Sequence, residues 1–284
     1  MPAFKQVDVF TSVPYRGNPV AVVMDATGIE DDQLQRFANW TNLSETTFLL
    51  PPTDPAADYR VRIFTPDVEL PFAGHPTIGT CHAWLEAGGQ PKTPGVVIQE
   101  CAAGLITLRH DAAGRLAFAA PPLTRGGPVD EADLDATCEI LQIDRTEIVD
   151  AQWADNGPGW LAVRLADADA VLALNPNFDA AESYDIGVVG AAPLGVVGAD
   201  ANDADIEVRA FFRSGGQAAE DPVTGSLNAA LAQWLLADGT LTSPYVASQG
   251  TALGRAGRVF IEESDGEIWV GGDAVTCIDG TVSI

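Results

Sequence analysis

Lysine is almost missing from this sequence. Lys5 and Lys92 are the only two in 284 residues, and the other 13 of its 15 basic residues are arginine. Forty acidic residues set the formal net charge at −25. Repulsion at that charge argues against nucleic acid and anionic membrane surfaces as partners. An acidic, lysine-poor surface that holds water and cations suits a salt-rich cytoplasm, so the composition points to a halophile. Cysteine is sparse as well. Cys81, Cys101, Cys138 and Cys277 lie far apart with no CxxC pair, which argues against a zinc site or a disulfide framework. They read as reduced, mostly buried thiols of a cytosolic protein.

Other signatures are missing too. The three histidines, His75, His82 and His110, show neither HxxxH nor HxH spacing, so no metal site is expected. His82 follows His75 by seven residues, on about the same helix face, and reads as a satisfied interior histidine. Neither GxGxxG nor GxxxxGK[ST] occurs, which leaves nucleotide binding unsupported. Ser226 lacks the GxSxG elbow and reads as a hydrogen-bond donor, not a nucleophile. The longest apolar stretch, Ile186 to Ala199, contains four glycines and a proline and cannot span a bilayer as a helix. Residues 1–19 show no charged segment leading into an apolar one, so no export signal is expected. The expectation is a soluble, cytoplasmic protein that engages neither membrane nor nucleic acid.

What is present is a globular composition. With 46% hydrophobic and 19% charged residues, a disordered chain is excluded. Alternation and β-branched content predict strands at Phe4–Thr11, Val20–Met24, Thr46–Leu50, Tyr59–Phe64, Gly95–Glu100, Leu105–His110 and Leu116–Ala119. Two helices are predicted to be apolar over much of their circumference, Pro76–Glu86 and Pro222–Leu236, as a helix enclosed by a sheet should be. Asp31–Trp40 and Glu131–Leu141 have the pattern of amphipathic surface helices. The Pro- and Gly-rich stretch Pro121–Asp135 reads as a linker. Gly215-Gly216 reads as a flexible loop, and Gly157-Pro158-Gly159-Trp160 as a turn with its tryptophan in the core.

One element occurs twice. A strand and a loop lead to His75-Pro76-Thr77-Ile78-Gly79-Thr80 and, 146 residues later, to Asp221-Pro222-Val223-Thr224-Gly225-Ser226, each opening an apolar helix. The repetition suggests gene duplication and a pseudo-twofold arrangement. Proline is favoured at the first helical position, which puts His75 and Asp221 at or near the N-caps. Helix starts carry unpaired amides and the positive end of the dipole. If the two halves face each other, both starts converge on a cleft suited to a carboxylate. Either residue alone is an ordinary cap or turn residue; the matched pair points to a site. Glu45 stands at the entrance to a very apolar strand, Thr46–Leu50. Partial burial there would raise its pKa toward the range useful for proton transfer, although without a partner motif an exposed edge charge would be the simpler reading.

The segments Arg16-Gly17-Asn18-Pro19-Val20-Ala21-Val22, Ser44-Glu45-Thr46, Phe72–Thr80 and Glu220–Ser226 together resemble the PhzF (phenazine biosynthesis) family, in order and through nearly the whole chain. The resemblance implies an α+β, diaminopimelate epimerase-like fold of two duplicated domains, each a β-barrel-like sheet around a central helix. Their expected spans are 1–118 and 119–268, with the C-terminal strand 269–284 returning to the first. It implies a cofactor-independent isomerase acting on a small anionic carboxylate and, from the family alone, a homodimer. By motif position Glu45 is the general acid/base. His75 and Asp221 bind substrate and assist proton transfer, and Gly74, Thr77, Gly225 and Ser226 hold the anionic group. The wider superfamily uses paired cysteines at its helix starts. This chain has none there, which disfavours a two-thiol racemase. An amino-acid racemase or epimerase, and a binding protein that has kept the fold, remain the alternatives.

Overall fold

The computed structural model describes residues 1–111, 114–180, 185–191, 204–214 and 217–284. The chain divides into two units, Met1–Ala119 with Gly271–Ile284, and Ala120–Val270. Along the first run β1 (Ala3–Val9), β2 (Asn18–Val23), α1 (Asp31–Thr41), β3 (Glu45–Leu50), β4 (Tyr59–Phe64), β5 (Glu69–Leu70), α2 (Gly74–Glu86), β6 (Val96–Cys101), β7 (Gly104–His110) and β8 (Leu116–Ala119). The second begins with β9 (Arg125–Pro128), α3 (Glu131–Leu141), β10 (Asp150–Asp155), β11 (Trp160–Arg164), α4 (Ala168–Ala173) and β12 (Asp185–Ala191). It continues with β13 (Ile206–Ser214), β14 (Gln217–Asp221), α5 (Gly225–Ala237), β15 (Tyr245–Gln249), β16 (Gly257–Ser264) and β17 (Glu267–Gly272). The last strand, β18 (Ala274–Thr281), pairs antiparallel with β1.

The duplication extends through both sheets. In the first unit β1 and β2 are antiparallel, β2 and β3 parallel, β3 and β4 antiparallel, β4 and β6 parallel, and β6 and β7 antiparallel. In the second, the same sequence of pairings runs β10–β11, β11–β12, β12–β13, β13–β15 and β15–β16. Parallel neighbours need a crossover, and each unit supplies two, through α1 and α2 or through α4 and α5.

Burial explains the two apolar helices. Every residue from Gly74 to Cys81 in α2 is buried, and nine residues of α5 are. The α2 helix packs on β1, β2, β3, β6, β8 and β18, so no face of its first half meets water. Each fully buried aliphatic side chain, such as Ile78 or Leu227, contributes on the order of 1.5–3 kcal/mol. Gly79 lets α2 approach the sheet, since a Cβ there would lie 2.4 Å from Val20 Cγ1. By contrast α1 is amphipathic. Leu34 and Ala38 pack with Val23, Phe48 and Phe64, a Glu30–Gln33 capping box starts the helix, and Asn42 in the left-handed region ends it. In the second unit Leu134, Ile140 and Leu141 of α3 join Trp153, Leu161, Ile186 and Phe211 in a core.

Three expectations need correction. Pro121–Asp135 is not a linker: it holds β9, paired with β10, and the first turn of α3, whose Asp130 side chain accepts from the Asp133 amide. Prolines 76 and 222 do not sit at first helical positions. The α2 N-cap is Ala73, which makes Pro76 its third residue; the α5 N-cap is Thr224, which leaves Pro222 outside the helix. Only two of the four cysteines, Cys81 and Cys101, are buried. Gly215-Gly216 and positions 192–199 of the long apolar stretch lie outside the described residues. Among the described residues no helix is long and apolar enough to cross a membrane.

Candidate active site

Parallel pairing starts β2 and β3 at the same end of the first sheet, with Val20 opposite Glu45. Asn18 opens β2, Glu45 opens β3, and His75 is the second residue of α2. The Glu45 Oε2 atom lies 3.2 Å from His75 Nε2, with side chains 15% and 6% exposed. On the far side of the ring Asn18 Nδ2 is 3.5 Å from Nδ1. Burial pushes the His75 pKa down from 6.5 to about 3, because an imidazolium loses its hydration there. At neutral pH the ring is therefore uncharged, and a neutral imidazole beside a carboxyl group can accept or return a proton.

The Arg16-Gly17-Asn18-Pro19 segment has a local cause. The buried Asp8 carboxylate accepts from the Arg16 amide at 2.8 Å and the Gly17 amide at 3.0 Å. Gly17 is required by close approach, since a Cβ would lie 2.1 Å from the Val9 carbonyl oxygen. Thr77 is turned inward: its amide donates to the Ala73 carbonyl, and its hydroxyl accepts from Gln99 Nε2 at 2.9 Å.

In the second unit, Asp221 ends β14 and is 8% exposed. Its Oδ2 accepts from the Thr224 hydroxyl at 2.5 Å, and that hydroxyl accepts from Gln249 Nε2 at 2.9 Å. Gln249 Oε1 in turn accepts from the Thr224 amide and from Asn228 Nδ2. A chain of buried side chains thus fixes the α5 start and the Asp221 carboxylate together. The neighbouring Glu220 is structural. It takes a bidentate bond from Arg209, whose other donors hold the Val171 and Leu174 carbonyls at the end of α4. Gly225 and Ser226 are the first and second residues of α5, the ranks that Gly74 and His75 hold in α2. Ser226 Oγ accepts from Trp160 Nε1 at 3.1 Å. Of the histidines left aside, half-buried His82 meets Thr276 Oγ1 at 3.2 Å.

Sequence reasoning assigned no role to Asp8, Asn18, Thr224 or Gln249. Asn18 and Thr224 lay inside recognised segments; Asp8 and Gln249 carried no signal, because their partners are distant in sequence.

A family model described as phenazine biosynthesis-like protein (PhzC-PhzF) matches residues 7–280. Antisense-enhancing sequence 1 of Schizosaccharomyces pombe is 36% identical over 293 aligned residues, covering 98% of this chain and 97% of that protein. The trans-2,3-dihydro-3-hydroxyanthranilate isomerase of Pseudomonas fluorescens is 33% identical, covering 97% of each. Among solved structures, a PhzF-family protein of Bacillus anthracis superposes with a TM-score of 0.82 at 21% identity, covering 100% of this chain and 99% of that one. The shared fold is α+β and diaminopimelate epimerase-like. A family match over nearly all of its length, with relatives above 30% identity end to end, means that the chain belongs to the PhzF (phenazine biosynthesis-like) family of isomerases.

Proposed function

We propose that this protein shifts a proton at carbon of a small carboxylate substrate, without a cofactor, using Glu45 as general acid/base. The observation that carries the reading is the buried Glu45–His75 pair at 3.2 Å. Glu45 removes a proton from an activated C–H and returns it at a neighbouring carbon, while His75 holds or relays it. Asp221 assists proton transfer in the same reaction. Gly74, Gly225 and Ser226 bind the anionic group, and Thr77 keeps the first turn of α2 in place.

The helix starts support an anionic substrate. The surface helices cap themselves: α1 with a capping box, α3 with Asp130 and α4 with Asp167. Neither α2 nor α5 has a side-chain cap. Pro76 has no N–H and the Thr77 amide is taken by Ala73, so the Gly74 and His75 amides are the α2 donors left without an intrahelical acceptor. Such donors, with the positive end of the dipole, favour a carboxylate. The N-caps Ala73 and Thr224 carry no thiol, which supports a single carboxylate over a two-thiol racemase. The named activity of the Pseudomonas fluorescens relative supports a cyclic, unsaturated carboxylate as the substrate class. The same reading takes the protein to be a cytoplasmic homodimer. Steady-state kinetics on trans-2,3-dihydro-3-hydroxyanthranilate and related carboxylates test it. Glu45→Gln is expected to lower kcat ~10²–10⁴-fold with the fold intact, and a variant with full turnover would refute the assignment.

A further inference from the structure

Elimination places every hydrogen in the buried cluster at the α5 start. A backbone N–H only donates, so the Gln249 side-chain atom that meets the Thr224 amide at 3.0 Å is the carbonyl Oε1. A carbonyl only accepts, so the atom that meets the Asp221 carbonyl at 3.1 Å is Nε2. Asn228 is fixed in the same way, its Nδ2 shared between the Thr224 carbonyl and Gln249 Oε1, each at 2.9 Å. The second hydrogen of Gln249 Nε2 therefore goes to Thr224 Oγ1 at 2.9 Å. The hydroxyl's own hydrogen goes to Asp221 Oδ2 at 2.5 Å, the length of a charge-assisted bond to a carboxylate.

The cluster is shut off from water: Gln249, Asn228 and Thr224 are all buried. Gln249 ends β15, and the next residue, Gly250 at φ 89°, brings that strand end onto the α5 start, since a Cβ there would lie 2.5 Å from the Pro222 carbonyl oxygen. The first unit repeats the device. There β6, which holds the place of β15 in its own sheet, gives Gln99 Nε2 to the Thr77 hydroxyl in the first turn of α2 at 2.9 Å. We infer that Gln249 is a positioning residue for Asp221: by donating to Thr224 Oγ1 it turns the hydroxyl's hydrogen onto Oδ2 and holds the carboxylate in the one orientation used for proton transfer. The kinetic meaning rests on the function proposed above, but the hydroxyl's bond can be read without any substrate.

The test is NMR of the Thr224 hydroxyl proton in protein labelled with 13C,15N-threonine, in H₂O at neutral pH, with Thr224→Val to assign the signal. The wild type is expected to show a downfield, slowly exchanging hydroxyl proton at Thr224. Gln249→Met, or Gln249→Asn if methionine impairs folding, should move that signal upfield or lose it to exchange. Kinetics on trans-2,3-dihydro-3-hydroxyanthranilate then separate positioning from a merely structural part. In the Gln249 variant kcat should fall about tenfold or more with KM little changed, as misplacing a catalytic group does. Thr224→Val should do the same, and Thr224→Ser, which keeps the hydroxyl, should rescue it. Joining the Gln249 change to Thr224→Val should cost no more than Thr224→Val alone, because residues that act through one bond are not additive. A wild type without the downfield hydroxyl proton would overturn the inference, as would a folded Gln249 variant with the wild-type signal, or additive losses in the double variant. Full turnover by Asp221→Asn, with the hydroxyl signals as expected, would instead count against the proposed part of Asp221 in the reaction alone.

Discussion

Burying an imidazole beside a carboxyl group makes stability depend on pH in a defined direction. The native His75 pKa of about 3 lies below its ordinary 6.5, so between these values the unfolded chain binds the proton more readily. The contribution of a neutral His75 is fully present above about pH 6.5 and is lost as pH falls toward 3. Denaturant titrations of wild type and His75→Gln at pH 7 and pH 5 check the sign. Wild type should lose more stability than the variant over that interval, and equal losses would contradict the burial argument. Arg209 offers a second prediction. Its side chain and that of Glu220 are 6% and 7% exposed, so Arg209→Ala strands a buried carboxylate and should cost ~3–5 kcal/mol, measured by chemical denaturation. Glu45, His75 and Asp221 were legible in the sequence because each sits in a short recognisable segment. Asp8 and Gln249 were not, because an acceptor nine residues from its donor, or an amide 25 residues away, leaves no local pattern; Thr224 stands inside such a segment, but nothing local marks its bond to Gln249.

At the level of elements, the contact between α2 and its sheet is the point of least tolerance. Gly79→Ala should gain ~1 kcal/mol of helix propensity. Its Cβ, however, would meet Val20 Cγ1 at 2.4 Å and Val9 Cγ2 at 2.9 Å. Both valines are β-branched and fully buried, so they cannot turn aside, and overpacking costs ~1–3 kcal/mol. A lowered midpoint in thermal denaturation is therefore expected, and an unchanged or raised midpoint would show that the sheet yields. Strand and helix positions were readable because burial imposes period 2 on β4 and apolarity on all sides of α2 and α5. The offset between the two helix starts was not, because proline is tolerated throughout the first turn and its presence alone does not say which position it fills. The segment Arg125-Gly126-Gly127-Pro128 misled for a related reason: its composition is that of a turn, but its pairing with β10 makes it a strand.

On the scale of the whole molecule, a net charge of −25 disfavours the compact state through self-repulsion. Molar salt shortens the screening length to about 3 Å. Circular-dichroism melting in dilute buffer and in molar KCl is expected to show a substantially higher midpoint in KCl, with partial unfolding in dilute buffer. Equal stability in both would end the halophile reading. The scarce lysines give only local relief, as where Lys5 bridges Glu86 at 2.9 Å and Asp279 at 2.7 Å.

Whether Glu45 moves a proton at carbon is tested most directly by deuterium uptake. The wild type and Glu45→Gln are incubated in D₂O with trans-2,3-dihydro-3-hydroxyanthranilate, and the recovered compound is examined by NMR and mass spectrometry. Label should enter at a ring carbon with wild type and be nearly absent with Glu45→Gln. Label entering at the wild-type rate in the variant would contradict the account.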